Sequence, residues 1–289
     1  MPCLLIVWVL DFLTERMQQV FVTGRFSDKA TTFTGSPQGC VLSPILFILY
    51  TDDCRCSYEN RFLVKFSDDT ALLSLLDESE SSHGPALTDF VDFCDTAYLD
   101  LNVTKTKDML FDFRRNKTFC ESTIIHGEEV ETVKTYKYLG TTFDDKLTWN
   151  ENTEIIAKKG QQRVYLLRKL NSFSVNETIL STFYRSFIES VICFSFVCWF
   201  YNLNVKNRNS LLKIVRTCSK IIGKDQRDLG QFCDDQLRKK AKQILRNPDH
   251  VLSCEFNYLP SGRRYRGPPC RTNRFKFSFV PRAICLLNE

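Results

Sequence analysis

The apolar residues change their spacing near residue 145, and this change constrains the fold more than any other feature of the chain. Before it, short apolar runs alternate or end in turn residues, which indicates strands with helices between them. After Trp149, apolar residues recur at helical spacing in segments 151–171, 176–201 and 204–223. The sequence therefore predicts an α+β fold with a mixed first half and an all-helical second half.

Residues 4–19 have helical spacing, and two alternating stretches around Gly24 predict a hairpin. Segment 85–99 predicts an amphipathic helix, MLFDF at 109–113 a strand, and short strands continue to about residue 143. From about residue 248 the chain is rich in Arg, Pro, Gly and aromatic residues, and we expect it to be irregular.

Gly35, Pro37 and Gly39 predict a loop in the stretch TGSPQGCVLSPILF. Ser43 followed by Pro44 is typical of a helix N-cap with proline in the first turn. The helix behind it is apolar on every side, which predicts that it is buried.

Asp68 and Asp69 interrupt the apolar run FLVKFSDDTALLSLL at 62–76, which we interpret as two strands around a tight turn. Turn formation alone could explain an Asp pair. Two carboxylates held beside apolar strands would repel each other, and a divalent cation with a nucleotide phosphate would compensate them. The pair is therefore a candidate Mg²⁺ site.

The composition is ordinary for a globular protein: 43% of the 289 residues are hydrophobic, 25% are charged and the net charge is +5. The 13 cysteines are scattered, which favours reduced thiols in an intracellular protein. His250, Cys254 and Cys270 leave a zinc site open, although their spacing fits no standard finger.

The opening MPCLLIVWVLDFLTER lacks a basic residue ahead of its apolar stretch, and residues 187–201 are shorter than the ~20 residues of a membrane span. We expect a soluble intracellular protein without a membrane segment, in the nucleus or the cytoplasm.

TGSPQGCVLSPILF followed by FSDD at 66–69 resembles the reverse transcriptases of non-LTR (LINE-type) retrotransposons. LDLNVTKTKDM at 99–109 resembles the next motif of that family, and YKYLGTTFD at 136–144 resembles its primer-grip region. All four segments follow the family's order. The resemblance implies an RNA-directed DNA polymerase, a nucleotidyltransferase whose partners are an RNA template, a DNA primer and deoxynucleotide triphosphates.

The resemblance also implies the domain organisation. Residues 1–145 would be part of a polymerase palm, residues 146–225 a helical thumb and residues 226–289 a basic C-terminal region. The family's further metal-binding Asp and its fingers lie upstream of these motifs, so we expect a truncated chain that is inactive alone. An uncovered apolar face and marginal solubility would follow.

The matching motifs imply roles for individual residues of this chain. Asp68 would bind the two catalytic Mg²⁺ ions, Asp69 would support it, and Lys105 would be an acid for the leaving pyrophosphate. The template and nucleotide would contact the loop residues Pro37, Gln38 and Gly39, and the primer end would contact Tyr138, Leu139 and Gly140.

Basic residues in the second half suit nucleic-acid phosphates. We expect contacts from Lys158, Lys159 and Arg163 on a helix, and from Arg263, Arg264 and Arg266 among aromatic residues of the tail. A solvated surface would have the same composition.

Three alternatives stay open. The chain could be a non-catalytic RNA- or DNA-binding remnant, or a translated fragment with no selected function. The stretch around 136–170 also resembles the N-terminal part of AlkB-homologue repair proteins, which implies an oxygenase or a methyltransferase. However, none of His83, His126 and His250 begins the HxD pair of such oxygenases.

Overall fold

A computed structural model describes residues 3–37, 39–76, 83–114 and 121–289. Helices and small, mostly antiparallel sheets make up the fold, which confirms the α+β class. The chain divides into two units: Met1–Lys105 with Phe119–Val130, and Thr106–Thr118 with Glu131–Glu289.

The first unit begins with helix α1 and two nested hairpins. The hairpin predicted around Gly24 is confirmed, with the inner strands β2 and β3 paired and the outer strands β1 and β4 closing around them. The first helix ends earlier than the predicted residue 19, because the chain enters a strand at Arg16. The bounds are α1 Cys3–Leu13, β1 Arg16–Gln18, β2 Phe21–Val22, β3 Arg25–Phe26 and β4 Ala30–Thr32.

Helix α2, Leu42–Tyr50, differs from the sequence prediction in two ways. Its N-cap is Val41 in a helical conformation, and the Ser43 hydroxyl instead donates to the Pro37 carbonyl at 2.5 Å. The Ser43 cap prediction is therefore wrong, because the side chain bonds back to the preceding loop. The predicted burial is also wrong, since no residue of α2 is buried.

The rest of the first unit consists of a long hairpin, a helix and a short hairpin. The two strands predicted around Asp68 and Asp69 are confirmed, as is the helix predicted at 85–99. The bounds are β5 Arg61–Phe66, β6 Asp69–Ser74, α3 Gly84–Thr96, β8 Ile124–Ile125 and β9 Glu128–Glu129.

The first unit leaves many large apolar side chains exposed. Leu4 on α1 is 86% exposed, Phe26 on β3 is 68% exposed and Phe66 on β5 is 62% exposed. Its buried apolar side chains are few and small, among them Cys54, Ala86, Cys94 and Ile125. Apolar burial is the main stabilising contribution to folding, so this unit has little of it in the described residues.

The second unit begins with four short strands. Strands β7 Lys107–Asp108 and β10 Glu131–Thr132 pair in parallel, and β11 Thr135–Tyr138 pairs with β12 Thr141–Asp144 in an antiparallel hairpin. The strand predicted for MLFDF is wrong over 109–113, because regular pairing stops at Asp108. The predicted strands of TYKYLGTTF are confirmed.

The remainder of the second unit is helical, as predicted. Two of the three predicted helices are present. The middle one, predicted at 176–201, is interrupted between Ile192 and Phe196; it also contains a π-helical turn at Tyr184–Glu189 and ends in a 3₁₀ turn at Phe200–Asn202. The helices are α4 Asn150–Ser172, α5 Glu177–Phe183, α6 Ser190–Ile192, α7 Phe196–Trp199, α8 Val205–Ile222, α9 Leu229–Leu245, α10 Asn273–Lys276 and α11 Phe279–Asn288.

The core of this unit lies between α4, α8, α9 and the helices from α5 to α7. Leu167, Tyr184, Trp199 and Leu211 are almost completely buried in it. Among the described residues, no single helix has the length and apolarity of a membrane span, whereas Glu177–Ile192 and Phe196–Asn202, bent by 41°, meet both criteria as a pair.

The C-terminal segment is ordered around α11. Ala283 and Ile284 of α11 pack with Ala241 and Ile244 of α9 and with Phe256. The prediction of an irregular tail is therefore wrong over 273–288. The apolar spacing of FVPRAICLL is that of a short amphipathic helix, and its buried side faces α9.

Candidate functional site

Asp68 and Asp69 lie at the apex of the β5–β6 hairpin. Phe66 pairs with Asp69, so Ser67 and Asp68 form a two-residue turn. Ser67 has a φ of 55°, which is the left-handed region that hairpin turns of this length require and that glycine adopts most easily. The backbone therefore presents two successive carboxylates at the tip of a hairpin.

Both carboxyl-bearing residues are exposed to solvent. Their predicted position beside a core is wrong, because Phe62, Val64 and Phe66 of β5 are themselves exposed. Water can hydrate the pair, so burial does not require a compensating cation. The case for a metal depends on the hairpin geometry and the motif.

Hydrogen bonds from Arg16, which precedes the loop, and from Ser43, which follows it, hold the loop before α2. Arg16 of β1 donates through Nη2 to the carbonyl oxygens of Thr34 and Gly35, each at 2.7 Å. Gly39 has a φ of 79°, which disfavours other residues there. Pro37 is half-buried, and Gln38 lies outside the described residues.

Lys105 lies on an exposed turn after the third helix. The Asn102 side-chain oxygen accepts from the Lys105 backbone N–H at 3.1 Å and from the Thr104 hydroxyl at 2.8 Å. This side-chain-to-backbone turn fixes the backbone of Lys105 and leaves its ammonium group at the surface.

Within the first unit, no hydrogen bond or ion pair joins Asp68 or Asp69 to Pro37, Gly39 or Lys105 in the described residues. No three His, Cys, Asp or Glu residues of the described ranges form a group that could hold a metal, a result that includes His250, Cys254 and Cys270. The dyad supplies oxygen ligands suited to Mg²⁺, but the described residues bring no third acid to it.

Tyr138, Leu139 and Gly140 form the turn between β11 and β12. Leu139 and Gly140 have φ values of 46° and 85°, so both central residues adopt the conformation of a type I′ hairpin turn. A Cβ atom on Gly140 would lie 3.1 Å from Cε1 of Phe194. The glycine therefore serves both the turn and a close contact with the helical region.

The predicted basic residues of α4 differ in their surroundings. Lys158 and Lys159 are exposed, whereas Arg163 is half-buried and donates through Nη1 to the Phe187 carbonyl of the π-helical turn. Arg163 therefore has a structural partner, whereas Lys158 and Lys159 are accessible, as are Arg168 and Lys169 further along the same helix.

Arg263 and Arg264 lie on the turn between Tyr258 and Tyr265, and Arg266 directly follows Tyr265. The Leu259 N–H donates to the Arg264 carbonyl at 2.8 Å, and Tyr258 bridges to Tyr265. Sequence reasoning named the three arginines but not Tyr258 or the hairpin. The Pro-Ser-Gly sequence at 260–262 between two tyrosines is a turn signal that could have indicated it.

Comparison with known proteins shows what the chain is similar to. Residues 2–143 match the family described as "Reverse transcriptase (RNA-dependent DNA polymerase)". Residues 149–190, which lie in α4 to α6, match "Alkylated DNA repair protein alkB homolog 8, N-terminal". The three histidines do not supply a metal-binding group with neighbouring residues in the described ranges.

Two curated relatives come from Drosophila melanogaster. The "RNA-directed DNA polymerase from mobile element jockey" is 27% identical over 219 residues, which cover 71% of this chain and 23% of that protein. The "Probable RNA-directed DNA polymerase from transposon BS" is 27% identical over 170 residues, 55% of this chain and 19% of that protein. The matched region thus spans about a fifth to a quarter of each relative. No solved structure matches the chain significantly.

Proposed function

We propose that this chain is the palm and thumb part of a retrotransposon RNA-directed DNA polymerase. The observation that carries the proposal is the reverse transcriptase match over residues 2–143, with the Asp68–Asp69 dyad at a hairpin apex inside it. The palm corresponds to residues 1–145, the thumb to 146–225 and a basic C-terminal region to 226–289. The remnant alternative has no observation of its own in its favour.

Asp68 and Asp69 are the proposed Mg²⁺ ligands, and the bound metals would supply activation of the primer 3′-hydroxyl and stabilisation of the pyrophosphate. Pro37, Gln38 and Gly39 contact the templating base and the incoming nucleotide in this proposal. Lys105 donates a proton to the leaving pyrophosphate.

The primer end contacts the hairpin turn Tyr138–Gly140, and the duplex phosphates contact Lys158 and Lys159. Both lysines are exposed on one helix and carry the charge that phosphates need. Arg163, tied to the Phe187 carbonyl, positions this helix against the π-helical turn and contributes charge from a fixed place.

We propose further that the chain is inactive by itself. Two-metal catalysis needs ligands in fixed geometry, and the resemblance implies three carboxylates, of which the described residues bring two together. A dyad on a solvated hairpin would bind a metal weakly.

Metal binding and polymerisation are tested separately. Mn²⁺ binding, followed by paramagnetic broadening of backbone amide signals, should affect residues around the β5–β6 turn and should disappear in Asp68→Asn. Asp53→Asn is the matched control, because Asp52 and Asp53 form another exposed adjacent pair. Equal broadening in wild type and Asp68→Asn would contradict the assignment of the site.

Primer extension on an RNA template with Mg²⁺ and deoxynucleotide triphosphates tests the reaction. We expect no extension by the chain alone. Asp68-dependent DNA synthesis would refute the proposed inactivity and support the polymerase assignment. For duplex binding, Lys158→Gln with Lys159→Gln should weaken affinity for a template–primer, whereas the exposed pair Lys239→Gln with Lys240→Gln on α9 should not.

A further inference from the structure

Three aromatic rings form a column that ends in solvent in the C-terminal segment. Phe256 is buried in the small core beneath α11, and its ring meets Tyr265 edge-on at 6.2 Å between centroids. Tyr265 in turn stacks on Tyr258 at 4.3 Å with an interplanar angle of 24°. Tyr258 is 57% exposed although one of its faces is covered by Tyr265, so its other face is open.

The column is fixed by the chain around it. The Arg266 N–H donates to the Asn257 carbonyl at 2.6 Å, and the two tyrosine hydroxyl groups share a hydrogen bond of 2.8 Å. Asn288 at the end of α11 clamps the Tyr265 backbone, accepting from its N–H at 2.8 Å and donating to its carbonyl at 2.9 Å. The outer ring is therefore held in place before any ligand arrives.

The chain that carries the column is predominantly basic, although Glu255 precedes Phe256 and Glu289 follows Asn288. Residues 256–283 contain seven Lys or Arg and no acidic residue. Arg263, Arg264 and Arg266 are exposed and form no ion pair or side-chain hydrogen bond with the described residues, whereas Arg282 is bound to Asp234. Three free guanidinium groups thus lie on the same short hairpin as the open ring.

We propose that Tyr258 is a stacking platform for an unpaired base of a single-stranded nucleic acid. An aromatic ring with one open face accepts any base by stacking, and the adjacent guanidinium groups contact the flanking phosphates. A duplex offers its bases only inside the stack, so the site selects single strands. This inference deepens the proposed polymerase function by naming a site for the template strand outside the polymerase motifs.

Burial and the hydrogen bond to Tyr258 raise the pKa of Tyr265 to about 12. The Tyr265 phenol therefore stays neutral at ordinary pH and does not repel a phosphate. Asn288 acts as a positioning residue, because it holds the inner ring on which Tyr258 is stacked.

The test uses the full chain and two labelled strands of about 12 nucleotides, within the range of sites that single-strand-binding folds cover. One strand is oligouridylate, and the other has the same phosphates with abasic sugars. Fluorescence anisotropy should show tighter binding of the base-containing strand. Tyr258→Ala should weaken that binding by about 5- to 150-fold and leave the abasic strand unaffected.

Matched variants separate stacking from charge and from folding. Tyr165→Ala removes a similarly exposed tyrosine of α4 and should leave the binding of both strands unchanged. Tyr258→Phe keeps the ring and should retain binding, and Tyr258→Leu replaces Tyr258→Ala if the latter lowers the thermal unfolding temperature.

Replacing Arg263, Arg264 and Arg266 with Gln should lower the salt slope of log affinity by about 2, since each phosphate contact on a single strand contributes about 0.7.

Equal affinity for the two strands, or an equal loss for both in Tyr258→Ala, would overturn the stacking proposal. Binding of polyglutamate with the same dependence on Tyr258 would overturn it too, by assigning the hairpin to an acidic protein partner. Asp68→Asn should leave oligouridylate binding unchanged. The binding assay therefore tests the stacking proposal separately from the polymerase proposal.

Discussion

Asp144 holds together the turn that joins the β11–β12 hairpin to α4, and its removal should destabilise the second unit. Its carboxylate accepts from the backbone N–H of Lys146 at 3.1 Å, of Thr148 at 2.9 Å and of Trp149 at 2.8 Å. It also accepts from the Thr148 hydroxyl at 3.1 Å. Trp149, held at a φ of 63° by this turn, is only 5% exposed and packs in the core.

The magnitude follows from the number and exposure of these bonds. Hydrogen bonds to a charged group contribute about 1.5–3 kcal/mol each when buried, but three of the four here are exposed and water can replace them. We expect Asp144→Ala to lower the free energy of unfolding by about 3 kcal/mol, mainly through the part-buried bond to Trp149. Asp144→Asn keeps one acceptor oxygen and should cost about half as much.

The adjacent Asp145 provides the control. Its backbone N–H donates to the Lys134 carbonyl, while no hydrogen bond of its carboxylate is found in the described ranges, so Asp145→Ala should cost less than about 0.5 kcal/mol. Urea unfolding should be followed by tryptophan fluorescence in a Trp8→Phe background, which leaves Trp149 and Trp199 of the second unit as reporters. Equal urea midpoints for Asp144→Ala and Asp145→Ala would refute the reasoning.

Two further changes have defined outcomes. Gly140→Ala should destabilise the second unit by about 2 kcal/mol, and more than Gly223→Ala in urea unfolding, because both glycines have a positive φ but only Gly140 approaches Phe194. Burial, with a hydrogen bond to Asp234, raises the pKa of Tyr201 to about 12 from 10.0. Folding thus favours the neutral phenol, so stability should fall as pH rises from about 10 to 12, and Tyr201→Phe should reduce that fall in urea midpoints measured across this range. An unchanged fall in Tyr201→Phe, or equal midpoints for the two glycine variants, would contradict these assignments.

Local pattern predicted the elements whose signal is complete within a few residues. The β5–β6 hairpin has two apolar strands and a polar turn, and α4 and α8 have apolar residues at helical spacing over five turns or so. The α11 helix was missed because Pro, Arg and Gly dominate the segment before it. The apolar side of α11 is buried against α9, which lies about 40 positions earlier in the chain, so the local sequence does not show this burial.

The predictions for the candidate site were correct where a local motif was sufficient and wrong where distant contacts decide. The motif pattern placed Asp68 and Asp69 at a turn, and the structure has them there. The predicted burial of α2 was wrong because an apolar composition does not specify what packs against a helix. Asp144 was missed because its role depends on a turn that brings Trp149 back towards it, and the Asn288 clamp was missed because its partner lies 23 residues away.

The contrast between the units bears on how the Asp dyad could work. Metal-ion catalysis needs ligands held within about 0.5 Å, and a two-stranded hairpin is marginally stable without further packing. Strand β5 leaves Phe62, Val64 and Phe66 exposed on one face, and besides the β5–β6 pairing its end near Asp68 is held by Lys65, which donates to the Cys54 carbonyl at 3.0 Å. The β11–β12 hairpin, by contrast, packs on α4 through Phe143, whose ring lies 5.3 Å from that of Trp149. A metal site on the first hairpin would therefore become precise only when its exposed apolar side chains are covered, and metal affinity at the dyad should rise with any change that covers them.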